Sequence, residues 1–414
     1  MNASIDQTAA THPNSTPKQW AVIWLVGGGH FFSHFYVICL PPLFPFMAAE
    51  MGLPNIALGF IVTCFFVAAA AVQMPFGILV DRVGARRVLF GGMLVLSGAI
   101  ALAGLTSSYW ALVGLFVIGG MGNSVFHPCD YVILSSSIEE RRMGRAFSIH
   151  SVCAQSGFFA APVVMGLLAL EFGWRNALLF VGLAGLGLSA LILAGQGLLR
   201  DTGARKQDER VSLGDTWRAL IEPRIMAHFI YFAASSAASG ALISFMIVAL
   251  GAHYGISNAL ANTILSGYLA AAVLGVIVGG FIADRTERHD LVLVVALSVA
   301  AACVATVATG VAPLWLVVVA LAIAGATKGA ITPSRDILVR RDAPPQYLGS
   351  VVAFVTVGFT AGNSAMPTVA GWYVDMGAPL AVFWSSAALT LLAVSCILVA
   401  RRGERPAAAV ESHS

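Results

Sequence analysis

The sequence predicts an all-α membrane protein whose twelve transmembrane helices form two pseudo-symmetric bundles of six, with both termini in the cytoplasm. Three observations predict this class: the composition, the number of long apolar segments, and a repeat that relates the two halves. Of the 414 residues, 58% are hydrophobic and 10% are charged, whereas a soluble domain carries about 25% charged residues. This composition excludes a water-soluble enzyme, and a net charge of +3 gives no support for nucleic-acid binding.

Twelve segments are long and apolar enough to cross a membrane. A helix needs about 20 mostly apolar residues to span the hydrocarbon. The predicted spans run near 20–47, 56–80, 88–106, 109–136, 145–170, 175–199, 224–250, 257–283, 291–310, 313–337, 348–373 and 377–400. Six cysteines fall inside apolar stretches without a paired motif, so they are interpreted as buried small apolar residues.

A polar segment divides the chain into two bundles. Residues 200–223 are expected to form a cytoplasmic linker with a short surface helix, between an N-terminal bundle at 20–199 and a C-terminal bundle at 224–400. Residues 1–19 lack the basic start and cleavage site of a signal peptide and are expected to be a disordered cytoplasmic N-terminus. Residues 401–414 are expected to be a cytoplasmic tail.

The basic residues predict the orientation. Twenty of the 23 lysines and arginines fall on the termini and the even-numbered connections, and only Arg175 falls on the opposite side. Cytoplasmic loops are enriched in Lys and Arg. The expected location is therefore the cytoplasmic (inner) membrane, crossed many times, with both termini inside.

The two halves repeat one another. An offset of 203 aligns Gly77, Asp81 and Arg82 with Gly280, Asp284 and Arg285. An offset of 205 aligns Pro128 with Pro333, Gly144 with Gly349, Gly157 with Gly362, Pro162 with Pro367 and Gly166 with Gly371. Parallel repeats of this kind imply a pseudo-two-fold axis along the membrane normal, a cavity between the halves and alternating access by rocking.

The loop between spans two and three carries a recognisable motif. The stretch GILVDRVGARRVL resembles the loop signature of the major facilitator superfamily, with Ala85 in place of its first paired arginine. The second half holds a degenerate copy, GGFIADRTERHDL. The resemblance extends over all twelve spans and implies that superfamily's fold and secondary transport without ATP. The matching residues are Gly77, Leu79, Asp81, Arg82, Gly84, Arg86 and Leu89.

The residues of this loop could form a gate between two conformations, or they could only fix the orientation of the chain in the membrane. Gly77 would let neighbouring helices approach closely. Asp81, Arg82 and Arg86, with Asp284 and Arg285 in the second copy, could form ion pairs that latch one conformation and break in the other. The alternative is a simple anchor for orientation, although Asp81 adds nothing to the positive-inside rule.

Polar side chains inside the predicted spans mark a candidate cavity, because charged groups in the bilayer are costly and usually face a cavity or a partner. His30 and His34 share one face of span one at i and i+4. The resemblance implies that spans one, four, seven and ten surround the cavity, and most of the polar residues inside the predicted spans lie on these four. The candidate residues for proton coupling and substrate binding are His30, His34, Asn123, His127, Asp130, His150, Gln155, Tyr231, Lys328, Arg335 and Asn363.

Each candidate has more than one interpretation. Asp130 with one of the histidines suits proton binding, but a histidine can also serve only as a hydrogen-bonding group between helices, and Asp130 can pair with a nearby arginine. Lys328 can bind a substrate carboxylate or phosphonate, pair with Asp130 across the halves, or extend to the interface. His30 and His34 have metal-ligand spacing but no evident third ligand, so neither a metal nor another cofactor is expected.

A narrower resemblance concerns the substrate. GNSVFHP in span four, the histidine-bearing first span and VQMPFGILVDR resemble the fosmidomycin-resistance group of the superfamily, which exports a small phosphonate. That group's carboxylate after Pro128 is replaced by Cys129, and Asp130 follows one place later. The patterns GFFAAPVVMG and GNSAMPTVAG loosely resemble a motif of proton-driven exporters.

The sequence therefore predicts a secondary active transporter, not an enzyme, since no Ser–His, HExxH or paired-carboxylate arrangement has workable spacing. The expected activity is proton-coupled export (antiport) of a small organic molecule, an anion being one option. The alternatives are a proton symporter that takes up organic acids, and a non-transporting membrane sensor or scaffold on the same fold. The expected partners are the substrate, protons and the lipid bilayer, and the expected state is a monomer.

Overall fold

The computed structural model describes residues 16–201, 213–344 and 347–402, and these residues form only helices, turns and short connections. The predicted N-terminal segment, part of the linker and most of the C-terminal tail lie outside the described residues. The helices are α1 Thr16–Val37, a 3-10 turn Pro41–Leu43, α2 Phe44–Met51, α3 Asn55–Val83, α4 Ala85–Ala103, α5 Tyr109–Asn123, α6 Phe126–Ser137, α7 Glu140–Ala194, α8 Leu213–Leu220, α9 Pro223–Tyr254, α10 Asn258–Ala283, α11 His289–Ala308, α12 Leu314–Asp342, α13 Leu348–Asp375 and α14 Ala381–Arg402.

Glycine and proline residues lie where the helices break or bend. α7 has 55 residues, and Gly173 interrupts it at φ 80° and ψ 158°, a conformation that suits glycine. The break falls between the fifth and sixth predicted spans. Two adjacent prolines, Pro41 and Pro42, accompany a bend of 41° between α1 and the helical segment that follows it. Pro128 lies in the first turn of α6, where its missing N–H costs nothing.

The prediction of an all-α membrane protein is confirmed, whereas the count of twelve spans remains a prediction. Among the described residues, nine helices are long and apolar enough to cross a membrane, and the bent pair at 18–51 raises the number to ten. α7 counts once among them, although a helix of its length would extend about 80 Å, more than twice the hydrocarbon thickness. α8 is a short helix within the predicted linker.

Helix packing repeats between the halves, as the sequence repeat predicts. α7 packs on α1 and α4 in the first half, and α5 packs on α3 and α4. In the second half α13 packs on α9, α14 packs on α9 and α11, and α12 packs on α10 and α11. The repeated glycines Gly157 and Gly362 lie directly against the backbone carbonyls of Phe31 and Ala233. Small residues at such crossings let membrane helices approach closely.

Hydrogen bonds join the two halves at the N-terminal ends of α3 and α10. Thr63 Oγ1 donates to the Ser364 carbonyl at 2.7 Å and lies 2.8 Å from Thr368 Oγ1. Nearer the helix start, the backbone N–H groups of Asn55 and Ile56 donate to the Asp375 carboxylate at 2.9 and 2.8 Å.

A second hydrogen bond between the halves lies at the pseudo-symmetric counterpart of this contact. Asn262 Nδ2 on α10 donates to the Pro162 carbonyl of α7 at 2.6 Å. Gly59 on α3, which an offset of 203 aligns with Asn262, packs against the Pro367 carbonyl of α13. The repeated prolines thus lie at both contacts, which are far from the basic loops.

The predicted cytoplasmic end of α3 has open space beside its glycine. Apart from the backbone of its own helix, no heavy atom of the described residues lies within 4 Å of the position that a Cβ on Gly77 would take, and Met74 is 80% exposed. The expectation that Gly77 brings helices into close contact is therefore wrong for this conformation. Among the described residues, the hydrogen bonds between the halves lie at the predicted outer end.

Candidate functional site

A buried carboxylate between two histidines forms the centre of the first half. Asp130 Oδ2 on α6 lies 2.8 Å from His30 Nδ1 on α1 and 2.9 Å from His150 Nε2 on α7. Asp130 is 1% exposed and His30 is 3% exposed. The two imidazole rings are stacked, with centroids 3.8 Å apart. Three helices therefore position one acid–imidazole cluster, the His30–Asp130–His150 cluster.

Two more histidines extend this cluster toward accessible space. The His127 ring lies 5.1 Å from the His30 ring, and the His34 ring lies 4.5 Å from it. Phe158 packs edge-on against His34 at 4.4 Å. His127 is exposed, in contrast to Asp130. The five residues form a continuous group from a buried acid to an exposed imidazole.

The register of α6 explains why a carboxylate at position 130, and not one at position 129, can contact the histidines. α6 begins at Phe126, so His127 and Asp130 are one turn apart on the same side of the helix. Cys129 points elsewhere and is completely buried in the apolar core. The acid at 130 therefore occupies the position from which it can contact both α1 and α7.

The remaining candidates of the first half lie apart from the carboxylate. Asn123 ends α5 and accepts a hydrogen bond from Ser33 Oγ at 2.7 Å, so it links α5 to α1. Gln155 is half-buried and makes no side-chain hydrogen bond within the described part of the chain. Asp130 pairs with no arginine there, so the interpretation as an Asp–Arg ion pair is wrong.

The second half carries a cationic group at the equivalent place. Lys328 Nζ on α12 donates to the carbonyl and hydroxyl of Ser235 on α9, at 3.1 and 3.0 Å. Tyr231, one turn earlier on α9, is 1% exposed, and its hydroxyl has no hydrogen-bond partner among the described residues. The suggested pair between Lys328 and Asp130 is not formed, because each has partners in its own half.

Arg335 lies two turns after Lys328 on the same helix. Its guanidinium bonds to the neighbouring Asp336 at 2.9 Å and lies 4.9 Å from the centre of the Phe232 ring. Asn363 on α13 donates to the Phe359 carbonyl of its own helix. The cationic group therefore consists of Lys328 and Arg335, with Tyr231 and Ser235 beside them.

Three side chains of the first half could present ligand atoms to a metal ion. The ligating atoms of His30, Asp130 and His150 lie within 4.8 Å of one another. However, both histidine nitrogens lie at hydrogen-bond distance from Asp130, whereas two ligands of a tetrahedral zinc ion are about 3.3 Å apart. The observed geometry fits an acid–imidazole cluster in which His150 is hydrogen-bonded to Asp130 and His30 is in close contact with it. The expectation of no metal stays a prediction.

The structure reveals polar contacts at the predicted cytoplasmic ends that the sequence had not indicated. His228 Nε2 on α9 lies 2.8 Å from Asp342 Oδ2 at the end of α12. In the first half, Gln19 of α1 donates to Glu139 at 3.0 Å. Hydrogen bonds from Arg141 and Gln19 hold the pKa of the Glu139 carboxyl below its usual value. In each half, the first helix thus contacts an acid that lies close to a pair of arginines in the sequence.

The predicted gating loop makes its ion pair with the start of the linker, not with the second half. Arg86 Nε lies 3.4 Å from Asp201 Oδ2, and Gly84 packs against the same carboxylate at a φ of 96°. In the part of the chain that the structure describes, Asp81, Arg82, Asp284 and Arg285 are exposed and have no ion-pair partner. Among the described residues, no latch joins the halves in this conformation, and the latch stays a prediction for another one.

Two helical halves that meet at one end, with polar clusters inside, define a polytopic membrane transport protein. The chain belongs to the Major Facilitator Superfamily, whose family model matches residues 26–249 and 229–413. This confirms the resemblance of the loop motif. The fosmidomycin-resistance group remains a narrower prediction.

Several curated relatives are transporters. The chain is 26% identical to the probable L-galactonate transporter of Escherichia coli over 140 residues, which cover 34% of this chain and 31% of the relative. It is 29% identical to the cephamycin export protein CmcT of Amycolatopsis lactamdurans over 193 residues, which cover 46% and 39%. A multidrug resistance protein B homolog of Mycobacterium tuberculosis is 26% identical over 47% of this chain and 35% of the relative. The chain thus spans about a third of the length of these relatives.

Solved structures share the fold. A bacterial homolog of the human lysosomal transporter Spinster, in an inward-facing and occupied conformation, has a TM-score of 0.77 at 15% identity and covers 94% of this chain and 98% of that chain. A mutant of the nucleoside transporter NupG has a TM-score of 0.75 at 16% identity and covers 91% and 99%. These likenesses concern the fold alone.

Proposed function

We propose that the chain is a secondary active transporter of the inner membrane that exports a small organic anion in exchange for protons. The observation that carries the proposal is the pair of unlike polar groups at equivalent places in the two halves. The first half presents the His30–Asp130–His150 cluster, and the second presents Lys328 and Arg335. One group suits protons and the other suits an anion.

The acid–imidazole cluster supports proton coupling. Histidine is the side chain that exchanges protons near neutral pH, and His30 and His150 both contact the buried Asp130 carboxylate. His127 is exposed and offers a route between the cluster and the open cavity. Protonation would change the charge of the cavity wall and so the balance between the two conformations.

The cationic group supports an anionic substrate. Lys328 donates to two oxygens of Ser235, which leaves one of its three N–H groups for a ligand. The Tyr231 hydroxyl is buried without a partner among the described residues. A carboxylate or phosphonate could accept a hydrogen bond from Lys328, and it would offset the cost of a cation in the membrane.

Proteoliposomes with an imposed pH gradient test this proposal. The probes are radiolabelled phosphonoacetate, galactonate and galactarate, with protein-free liposomes as the background. Exchange for protons accumulates the anion in the acidic compartment, whereas symport accumulates it in the alkaline one. Gradient-driven flux of none of the probes would contradict the proposed substrate class. Alkaline accumulation would support the alternative of uptake, which the similarity to the probable L-galactonate transporter favours.

The first prediction concerns Lys328. Lys328→Gln is expected to lower anion flux at least about tenfold, because a charge-assisted hydrogen bond contributes about 1.5–3 kcal/mol. The matched control is Arg340→Gln, which removes an exposed cation from the same helix. Equal flux in both variants would remove Lys328 from the substrate site.

A further inference from the structure

An apolar groove lies on the outside of the second half, between α10 and α11. Its volume is about 610 Å³, and α12 forms its floor through Ala326, Thr327 and Ala330. Gly275 and Gly279 of α10 pack against the carbonyls of Ala326 and Ala330, so α10 lies very close to α12. Both walls are lined with aliphatic side chains. They are Leu274, Val278, Ile282, Leu291, Val292, Val295, Ala296 and Val299.

One end of the groove is polar. Thr286 and Arg288, in the connection between α10 and α11, line this mouth, and Arg288 is the charged residue among the described residues that line the groove. Within the described residues, the Arg288 side chain has no carboxylate partner, whereas Arg401 pairs with Asp290 at 3.0 Å. The positive-inside rule places this mouth at the predicted cytoplasmic surface.

The dimensions match one leaflet of a bilayer. Eleven residues separate Arg288 from Val299, the far lining residue of α11, and at 1.5 Å per residue they extend about 17 Å. Half of the hydrocarbon thickness is about 15 Å. An acyl chain that starts at the interface therefore reaches the end of the groove.

We propose that this groove is a binding site for a phospholipid, with an acyl chain between α10 and α11 and its phosphate on Arg288. A groove that opens sideways into hydrocarbon is filled by lipid chains, because apolar walls offer nothing to water. Arginine binds phosphate through two parallel N–H donors. The site is independent of the substrate cavity and of the proposed transport cycle.

Native mass spectrometry of the full chain in a mild detergent tests the site. The probes are phosphatidylglycerol and a diacylglycerol with the same acyl chains. The expected result is one tightly retained phosphatidylglycerol, held at least about tenfold more strongly than diacylglycerol, since the phosphate adds a charge-assisted bond of about 1.5–3 kcal/mol. Equal retention of the two lipids would overturn the proposal.

Two variants locate the bound lipid. Arg288→Gln is expected to lower phosphatidylglycerol retention about tenfold, and Val295→Trp is expected to abolish it by filling the groove. The control Arg285→Gln removes an exposed arginine of the same connection that does not line the groove. Equal loss in the two arginine variants would indicate general charge attraction and overturn the site. Thermal unfolding measured in parallel shows that each variant is folded, and Arg288→Lys is expected to retain part of the binding.

Discussion

At the scale of single residues, the position of one carboxylate decides whether the first half has a proton site. Asp130 contacts two imidazoles, while Cys129 beside it is completely buried in the apolar core. A shift of one residue on a helix rotates a side chain by about 100°. The charge at 130 is therefore tolerated in the membrane because α1 and α7 each present a histidine to it.

This register leads to a stability prediction. Cys129→Asp is expected to destabilise the protein by about 3–5 kcal/mol, because it places an unpaired carboxylate in the core, whereas Cys129→Ala removes only one small apolar group. Thermal unfolding in detergent measures both. A melting temperature for Cys129→Asp equal to that of Cys129→Ala would contradict the assigned burial of this position.

At the scale of helices, α3 contains two glycines with different surroundings. Gly59 lies against the Pro367 carbonyl of α13, and Gly77 has open space around it. The first glycine closes the predicted outer end in this conformation. The second belongs to the loop motif that is expected to close the opposite end in the other conformation.

The two glycines give a matched pair of variants. Gly59→Ala is expected to weaken the contact between α3 and α13, because the added methyl group meets a backbone carbonyl. Gly77→Ala is expected to leave this contact unchanged and even to favour the helix by up to about 1 kcal/mol. Hydrogen exchange of the first turns of α3 measures the difference. Equal exchange in both variants would contradict the packing described here.

At the scale of the whole molecule, the sequence predicts the fold well and the conformation poorly. The repeat of Gly157 and Pro162 with Gly362 and Pro367 predicts equivalent packing in the halves, and the structure shows it. The loop residues Asp81 and Asp284 indicate a latch that this conformation does not form. A sequence encodes the contacts of both states together, so no single residue pattern tells which state is populated.

Only part of the candidate site can be predicted from the sequence, because titratable and uncharged polar residues differ in how informative they are. His30, Asp130 and Lys328 were evident because titratable groups in a membrane are costly and few. Ser235, Thr63 and Asn262 were not, since uncharged polar residues are common in membrane helices and only the packing shows which of them bridge helices. The grouping of His150 with His30 around one carboxylate likewise required the fold.

The measurement that tests the account most directly is anion accumulation in proteoliposomes with Asp130 intact or replaced. For a monovalent anion that the transport assay identifies, one proton per anion and a membrane potential held at zero, a gradient of one pH unit supports about tenfold accumulation. The wild type is expected to reach this ratio in the acidic compartment, and so is Glu171→Gln, which changes an exposed acid at the far end. Asp130→Asn is expected to exchange the anion between compartments without accumulating it. Accumulation by Asp130→Asn equal to that of the wild type would contradict the assignment of the His30–Asp130–His150 cluster as the proton site.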